Sequence, residues 1–376
     1  MVTATTHTPE VSMEVRRLAP TDSASIAALA REAFPPTQSS FVQPGRDGGL
    51  VACVDGAIAA AAIVRVIQLP GGRSVGMIAW LLTGRDYRGL GLASRLVQAC
   101  VDDLHARGCQ YVLTDVEGHN TASANVFHGN GFKRLPPGEQ VRCFGLAGSM
   151  WLAIRTGLVF DPGHFLWVYD TGPGAPREGA QRVGSWLVNT LFAGAAMMLG
   201  SGLLLAGAPG LLGVADWLAF ALAVVVLFGA REGAMRVTGA WFRQPLQYRA
   251  WEGGFGITLI IALLFGRLLP LPGGLYPPGD GWKYRDVLPR LGPVAVAGTL
   301  AVALIVAGAL MLKAAGAGGF MGQFAFAVLF VGKPLLLFDS AIAIAPFTAF
   351  NARRIFDYNR ALWAGVAALG IVLFLL

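Results

Sequence analysis

Charge is scarce in this chain. Of 376 residues, 55% are hydrophobic and only 14% charged, a balance that excludes an ordinary soluble enzyme of this size. The scarcity is uneven. Residues 1–172 hold 14 Lys+Arg against 14 Asp+Glu, whereas residues 173–376 hold 15 against 8, so the net charge of +7 belongs to the second half. That half also has no cysteine and no histidine: the five histidines end at His164, and Cys53, Cys100, Cys109 and Cys143 all precede it. Zinc takes deprotonated N, S or O ligands, so no histidine-based zinc triad can form there, and a site of its carboxylates alone would suit magnesium rather than zinc. The four cysteines match no zinc or thioredoxin spacing and read as reduced structural thiols. The opening "MVTATTHTPEVS" lacks an apolar core, so residues 1–12 read as a polar tail without an export signal. Nothing points to nucleic acid, because the basic residues sit beside apolar segments, where anionic lipid accounts for them.

What is present divides into two solvents. From Met13 the pattern reads as a strand, a turn at Thr21-Asp22-Ser23 able to cap a helix, and a helix with Ile26, Leu29, Ala30 and Phe34 on one face. Two strands follow around the Asp55-Gly56 hairpin signal. "SVGMIAWLLT" is a third strand, running into "YRGLGLASRL"; the helix "ASRLVQACVDDLHARG" and the strand "CQYVLTDV" come next. The order is mixed α/β.

A glycine-rich turn from strand to helix is an anion site, since unpaired helix N-terminal amides and the helix dipole favour phosphate. A dinucleotide fingerprint needs a third glycine where this chain has Ser94, and no Gly-Lys-Ser/Thr exists for a P-loop. Arg88-Gly89-Leu90-Gly91-Leu92-Ala93 instead resembles the Arg/Gln-x-x-Gly-x-Gly/Ala loop of the GNAT acetyltransferase superfamily. About thirty residues on, "NTASANVFHGNGF" resembles that family's Asn-x-x-Ala-x-x-x-Tyr-x-x-x-Gly-Phe helix, with Asn120, Phe127 and Gly131-Phe132 in the matching places. The resemblance covers residues 13–172, with "HFLWVYD" as the last strand.

The resemblance implies a mixed sheet with flanking helices and acetyl-CoA as co-substrate, with no metal. Main-chain amides from Arg88 through Gly89, Leu90, Gly91 and Leu92 to Ala93 would cradle the pyrophosphate. Leu82 and Thr83 would bond the pantetheine arm and polarise the thioester carbonyl, and Asn120 and Phe127 would complete the cofactor site. An amine placed by the fold then attacks directly. Two departures stand out: Phe127 replaces a tyrosine that could protonate the thiolate, and the Ser74–Thr83 strand has no carboxylate. Glu117 and Asn120 are therefore the candidates at the reacting centre, with Asp115, His119 and His128 behind them.

Residues 173–184, "PGAPREGAQRVG", read as a linker, and residues 185–376 as an all-α polytopic membrane domain of about six helices. Residues 183–215 carry no charge, too long for one span, and begin a hairpin over 185–206 and 212–230. "GGFGITLIIALLFG" supplies a third span with Arg267 snorkelling, residues 291–312 a fourth, residues 314–346 one or two more, and "ALWAGVAALGIVLFLL" the last. Acetyl-CoA is cytosolic, so the first domain is expected on the cytoplasmic side, with the Arg231, Arg236, Arg243 and Arg249 segment inside as the positive-inside rule asks.

The segment around "GAREGAMRV" resembles the zinc helix of site-2-protease-like membrane proteins, and "FNARRIFDYNRALW" their Leu-Asp-Gly segment. The zinc positions here read Arg231, Glu232 and Met235, and the aspartate position Asn351. An arginine cannot coordinate zinc, so such a site would be dead. The leading expectation is a membrane-anchored N-acetyltransferase acting on an amine acceptor, itself free or membrane-associated. A second is an acyl-CoA-sensing membrane protein without transferase activity. A third is a transporter bundle recruiting Asp216, Lys333 and Asp339.

Overall fold

The computed structural model of the chain describes residues 13–34, 36–169, 190, 213–265, 269–271, 273–344 and 347–376. The expected 173–184 linker and the 185–206 span lie outside the described residues.

Strands β1 (Met13–Arg17), β2 (Gly49–Val54), β3 (Ala57–Gln68), β4 (Ser74–Thr83), β5 (Tyr111–Glu117), β6 (Lys133–Arg134) and β7 (His164–Tyr169) form one sheet in the order β1-β2-β3-β4-β5-β7-β6. All neighbours are antiparallel except β4 and β5. The 55–56 turn follows the hairpin signal, with Asp55 at φ 49° and Gly56 at φ 80°, the left-handed pair a two-residue hairpin needs. Strand alternation sends Ala60, Ala62, Val64, Val112 and Val116 to one face, under α3 (Leu92–Ala106) and α4 (Thr121–Gly129). Ala61, Ile63 and Leu82 face α1 (Ser23–Ala33). Met77, Leu113, Leu166 and Val168 face α5 (Pro137–Thr156) on that same side. A short α2 (Pro36–Ser39) follows α1. Asp22 precedes α1 but does not cap it: its carboxylate accepts two bonds from Arg16 at 2.8 and 3.0 Å and one from the Ala19 amide.

Among the described residues of the second half, three helices are long and apolar enough to cross a membrane: α6 (Val214–Trp241), α8 (Tyr284–Ala314) and α9 (Gly319–Ser340). Three of the expected spans, 212–230, 291–312 and the one within 314–346, correspond to these helices. The expected third span is described over Glu252–Phe265 as α7, and the closing segment is the 16-residue α11 (Arg360–Leu375); helices of ~20 residues are needed to cross the hydrocarbon core untilted. The uncertain 314–346 region resolves into α9 alone, followed by the short α10 (Asn351–Tyr358). A two-stranded pair, β8 (Gln247–Arg249) and β9 (Gly274–Tyr276), flanks α7.

The three long helices pack on one another through small residues. Gly332 meets Val306 and Leu227, and Gly298 meets Met235; glycine at a crossing lets apolar helices approach by dispersion where no hydrophobic drive separates them from lipid. One polar cluster lies among them. Arg231 grips Asp339 with Nε and Nη2 at 2.5 and 3.0 Å and donates Nη1 to Glu232 at 2.8 Å. Asn351 donates its backbone amide and Nδ2 to Asp339 at 3.2 and 3.1 Å. All four are buried, as charges in such a place must be paired to be tolerated.

The two halves share a seam. Arg134 Nε donates to Asp280 at 2.7 Å, Thr121 Oγ1 accepts from the Tyr284 amide at 3.0 Å, and Phe165 packs edge-on to Tyr276. The sheet's β5 and β7 ends therefore abut the second half, and these ends carry the candidate site.

Candidate active site

The β4–β5 ladder is the centre of the site. These parallel strands pair only at Val75–Tyr111, Gly76–Val112 and Met77–Leu113, yet β4 runs on to Thr83 and β5 to Glu117. Beyond Met77 the β4 edge facing β5 has no ladder partner, while its other edge pairs with β3 as far as Ala60–Thr83. The β3–β4 register slips where Ile63 faces Trp80 and Val64 faces Ile78, leaving Ala79 as an extra residue. Such a bulge bends a strand and re-aims its main-chain groups, here at the start of the gap. Leu82 and Thr83 lie on the far stretch of β4, with main-chain groups available to a ligand entering between the strands.

The glycine loop follows at once. Gly89 and Gly91 adopt φ 84° and 74°, a left-handed backbone that side chains disfavour. A Cβ at either would meet nothing within 4 Å, so it is the backbone conformation that requires glycine, and open space lies before the loop. Gly91 is the N-cap of α3, whose first-turn amides have no intrahelical acceptors. Arg88 and Leu90 are exposed, Leu92 is buried and anchors the helix, and Ala93 is half-buried. The arrangement is an anion cradle at the mouth of the strand gap.

The α4 residues take structural as well as site positions. Asn120 Oδ1 caps α4 by accepting from the Ser123 amide at 3.2 Å. Phe127 is 3% exposed and sits edge-on to Phe132, offering no hydroxyl. Asn130 Nδ2 donates to Ser94 Oγ at 3.1 Å and holds the start of α3 to the end of α4. His128 is exposed at the end of α4.

Past the last β4–β5 pair, Asp115 and Glu117 alternate with the buried Val116 and so point to the α1/α5 side, opposite the α3 side. Strand β7 runs antiparallel to β5, setting His164 opposite Glu117. His164 Nδ1 lies 2.9 Å from Asp115 Oδ2. Burial works against the imidazolium, but the Asp115 bond and the charges of Asp115, Asp161 and Glu117 outweigh it and push the ring up to about 9. His164 is thus a cation at neutral pH.

His119 is the opposite case. It sits between Tyr276 and Tyr284, and Arg354 Nε donates to its Nε2 at 3.0 Å. Burial first, then the Arg354 and Arg353 charges, hold it well below the ordinary histidine range. Neutral His119 serves as an acceptor. Glu117 is tied to the second half too, accepting from Thr348 Oγ1.

The sequence pattern pointed to Asp115, Glu117, His119 and His128. The fold brings the first three to one end of the sheet and leaves His128 apart. It adds His164 and Asp161, which no local spacing marks, because strand pairing alone unites them with Asp115. Donor atoms of Asp115, Asp161 and His164 lie within 4.8 Å of one another, the one group among the described residues able to hold a metal ion. A protonated imidazole cannot ligate, however, and its proton must leave first.

A mixed sheet interrupted beside a main-chain anion cradle defines an α/β domain with a strand gap placed to admit an anionic ligand. The family model described as "Acetyltransferase (GNAT) family" matches residues 19–132, and the first half of the chain carries a GNAT acetyltransferase domain. Among curated proteins, N-alpha-acetyltransferase 30 of Saccharomyces cerevisiae is 33% identical over 60 residues, 16% of this chain and 34% of the relative. Its namesake in Schizosaccharomyces pombe is 37% identical over 59 residues, 16% of this chain and 39% of the relative. The chain thus spans little more than a third of the length of these relatives. Among solved structures, the NatC complex bound to Gag peptide and CoA aligns at 17% identity and TM-score 0.30, covering 43% of this chain and 99% of that one. The ribosomal-protein-S18-alanine N-acetyltransferase from Escherichia coli aligns at 18% identity and TM-score 0.31, covering 43% and 97%.

Proposed function

We propose that this protein is a membrane-anchored N-acetyltransferase that moves an acetyl group from acetyl-CoA to an amine. The observation that carries the reading is the β4–β5 ladder ending after three pairs beside the Gly89–Gly91 cradle. The cradle takes the pyrophosphate, with Arg88 adding charge. The pantetheine arm lies along the free edge of β4 at Leu82 and Thr83, where a main-chain amide polarises the thioester carbonyl. Asn120 borders the cofactor and Phe127 packs behind it.

The amine enters on the α1/α5 side. Its nitrogen adds to the carbonyl carbon, the tetrahedral intermediate collapses with breakage of the C–S bond, and the acetylated amine and coenzyme A leave. Glu117 takes the proton released by nitrogen, and the His164 imidazolium supplies one to the departing thiolate, the task that Phe127 cannot perform. Both relatives are named N-alpha-acetyltransferases, which favours α-amines as the first acceptors to test.

In the second half, the positions resembling a protease zinc set, Arg231, Glu232, Met235 and Asn351, lie in one cluster, Asn351 Nδ2 being 3.8 Å from Met235 Sδ. The Arg231 guanidinium is bound there to Asp339. This favours a proteolytically inactive bundle that anchors the transferase.

The experiment is release of coenzyme A thiol by the full chain in detergent, across a panel of amines and α-amino peptides, with each acetylated product weighed by mass spectrometry. Acetylated amine accumulating with thiol release is the expected result. Tight acetyl-CoA binding with thiol release no faster than hydrolysis for every amine would replace the transferase with an acyl-CoA sensor, the reading that Phe127 favours.

A further inference from the structure

Helix α5 is apolar on both sides. Gly145, at φ 72°, breaks it into two segments. In the longer second segment Leu152 faces the sheet core with Phe144 from just before the break, while Leu146, Met150 and Ile154 recur every four residues on the outside. They are 65%, 60% and 57% exposed, and Trp151 beside them 42%. A helix in a water-soluble layer keeps one apolar stripe; a second, outward stripe of large side chains marks a contact surface.

We propose that this outward face of α5 lies in the surface of the lipid bilayer, as an in-plane helix that rests the transferase domain on the membrane. Three observations choose lipid as the occupant. First, the turn that follows α5 packs against the second half before the chain returns to the sheet as β7. Within a few residues of Thr156, Leu158 and Val159 press against the first turn of the apolar helix α7, where a Cβ on Gly253 would come 2.2 Å from the Leu158 carbonyl oxygen and one on Gly256 2.1 Å from Val159 Cγ2. The C-terminal end of α5 therefore sits at the level where α7 begins. Second, the same chain carries three helices long and apolar enough to span a bilayer, so a bilayer is close by whenever the protein is in place. Third, the rim of the stripe is built for a polar–apolar boundary. Trp151 turns its Nε1 inward to the Gln68 carbonyl at 2.9 Å, Arg155 lies over its ring at 5.6 Å, and Arg142 is exposed just before the break. Tryptophan and arginine at the edge of an apolar face suit the headgroup region, where arginine also attracts anionic lipid.

The consequence concerns the acceptor. Asp115 and Glu117 project to the sheet face that α5 covers, so a bilayer-bound α5 holds that face beside the headgroups. This consequence rests on the transferase reading; the contact itself does not.

The test uses the full chain with Cys143 replaced by serine, carrying single nitroxide-labelled cysteines at positions 142, 146, 150 and 154. The protein is reconstituted into nanodiscs of mixed phosphatidylcholine and phosphatidylglycerol, and each label's collision rate is measured with oxygen, which concentrates in lipid, and with a water-soluble nickel chelate. Labels at 146, 150 and 154 should favour oxygen over the chelate severalfold, and the label at 142 the reverse. All four positions are exposed, so labelling leaves the core intact. High chelate access at 146, 150 and 154 would place the face in water and overturn the proposal. Low access to both reagents would show another protein surface covering it, a second copy or another part of this chain, and would overturn it equally.

Discussion

His164 acquires its character from Asp115, a residue 49 positions away and one strand over. Because its folded value is raised to about 9, it stays protonated from neutral pH up to that point and loses the proton above it. If His164 is the donor to the thiolate, acetyl transfer falls as pH rises through about 9. His164→Gln should lower kcat by about a hundredfold, within the usual range for a general acid, remove that alkaline limb, and leave KM for acetyl-CoA unchanged, because the cradle lies elsewhere. A steady-state pH profile of both proteins decides it; an unchanged alkaline limb in the variant would move the acid to another group. At this scale the sequence was readable only where function is local. Gly89 and Gly91 announce themselves by spacing, since each answers a backbone need of its own. The neutrality of His119 was hidden, because Arg354 stands 235 positions on, and a separation of 231 positions hid the bond between Glu117 and Thr348.

The elements divide along the same line. The strands and α3 were legible because one buried face leaves a period in the sequence, while α5 was not: apolar residues on both its sides erase the 3.6-residue pattern that would betray it. Span lengths were harder to read, because uncharged length is not helix length. Glycines 253, 254 and 256 let α7 approach Leu158, Leu271 and Val159 closely. The ends of the long helices carry an orientation signal. Arg236 and Arg243 at the end of α6, Lys283, Arg285 and Arg290 at the start of α8, and Arg353 near the seam all stand at the end that meets the transferase domain, whereas Lys313 and Asp216 stand at the other. By the positive-inside rule this end is expected on the cytoplasmic side, where acetyl-CoA is found. Arg243→Cys in intact cells should resist an impermeant thiol reagent and react only after the membrane is opened. Modification from outside would reverse the orientation.

At the scale of the whole molecule the two halves share one core. Phe165 and Trp167 of the sheet belong to the same buried cluster as Trp251, Tyr276 and Phe350, and buried polar groups pair across the seam from both sides. Cutting the chain between them would break the Arg134–Asp280 pair and the Arg354–His119 bond, and breaking a buried pair by removing one partner costs several kcal/mol. The intact chain is therefore the right object for binding as well as catalysis. The central claim is that acetyl-CoA enters through the Gly89–Gly91 cradle, and the direct measurement is calorimetric titration of the detergent-purified full chain. Wild type should bind acetyl-CoA at one site per chain. Gly91→Glu, which forces a side chain onto a left-handed backbone and puts a negative charge where phosphate must sit, should abolish that binding while the protein remains folded by circular dichroism. Equal affinity in the two proteins would contradict the account.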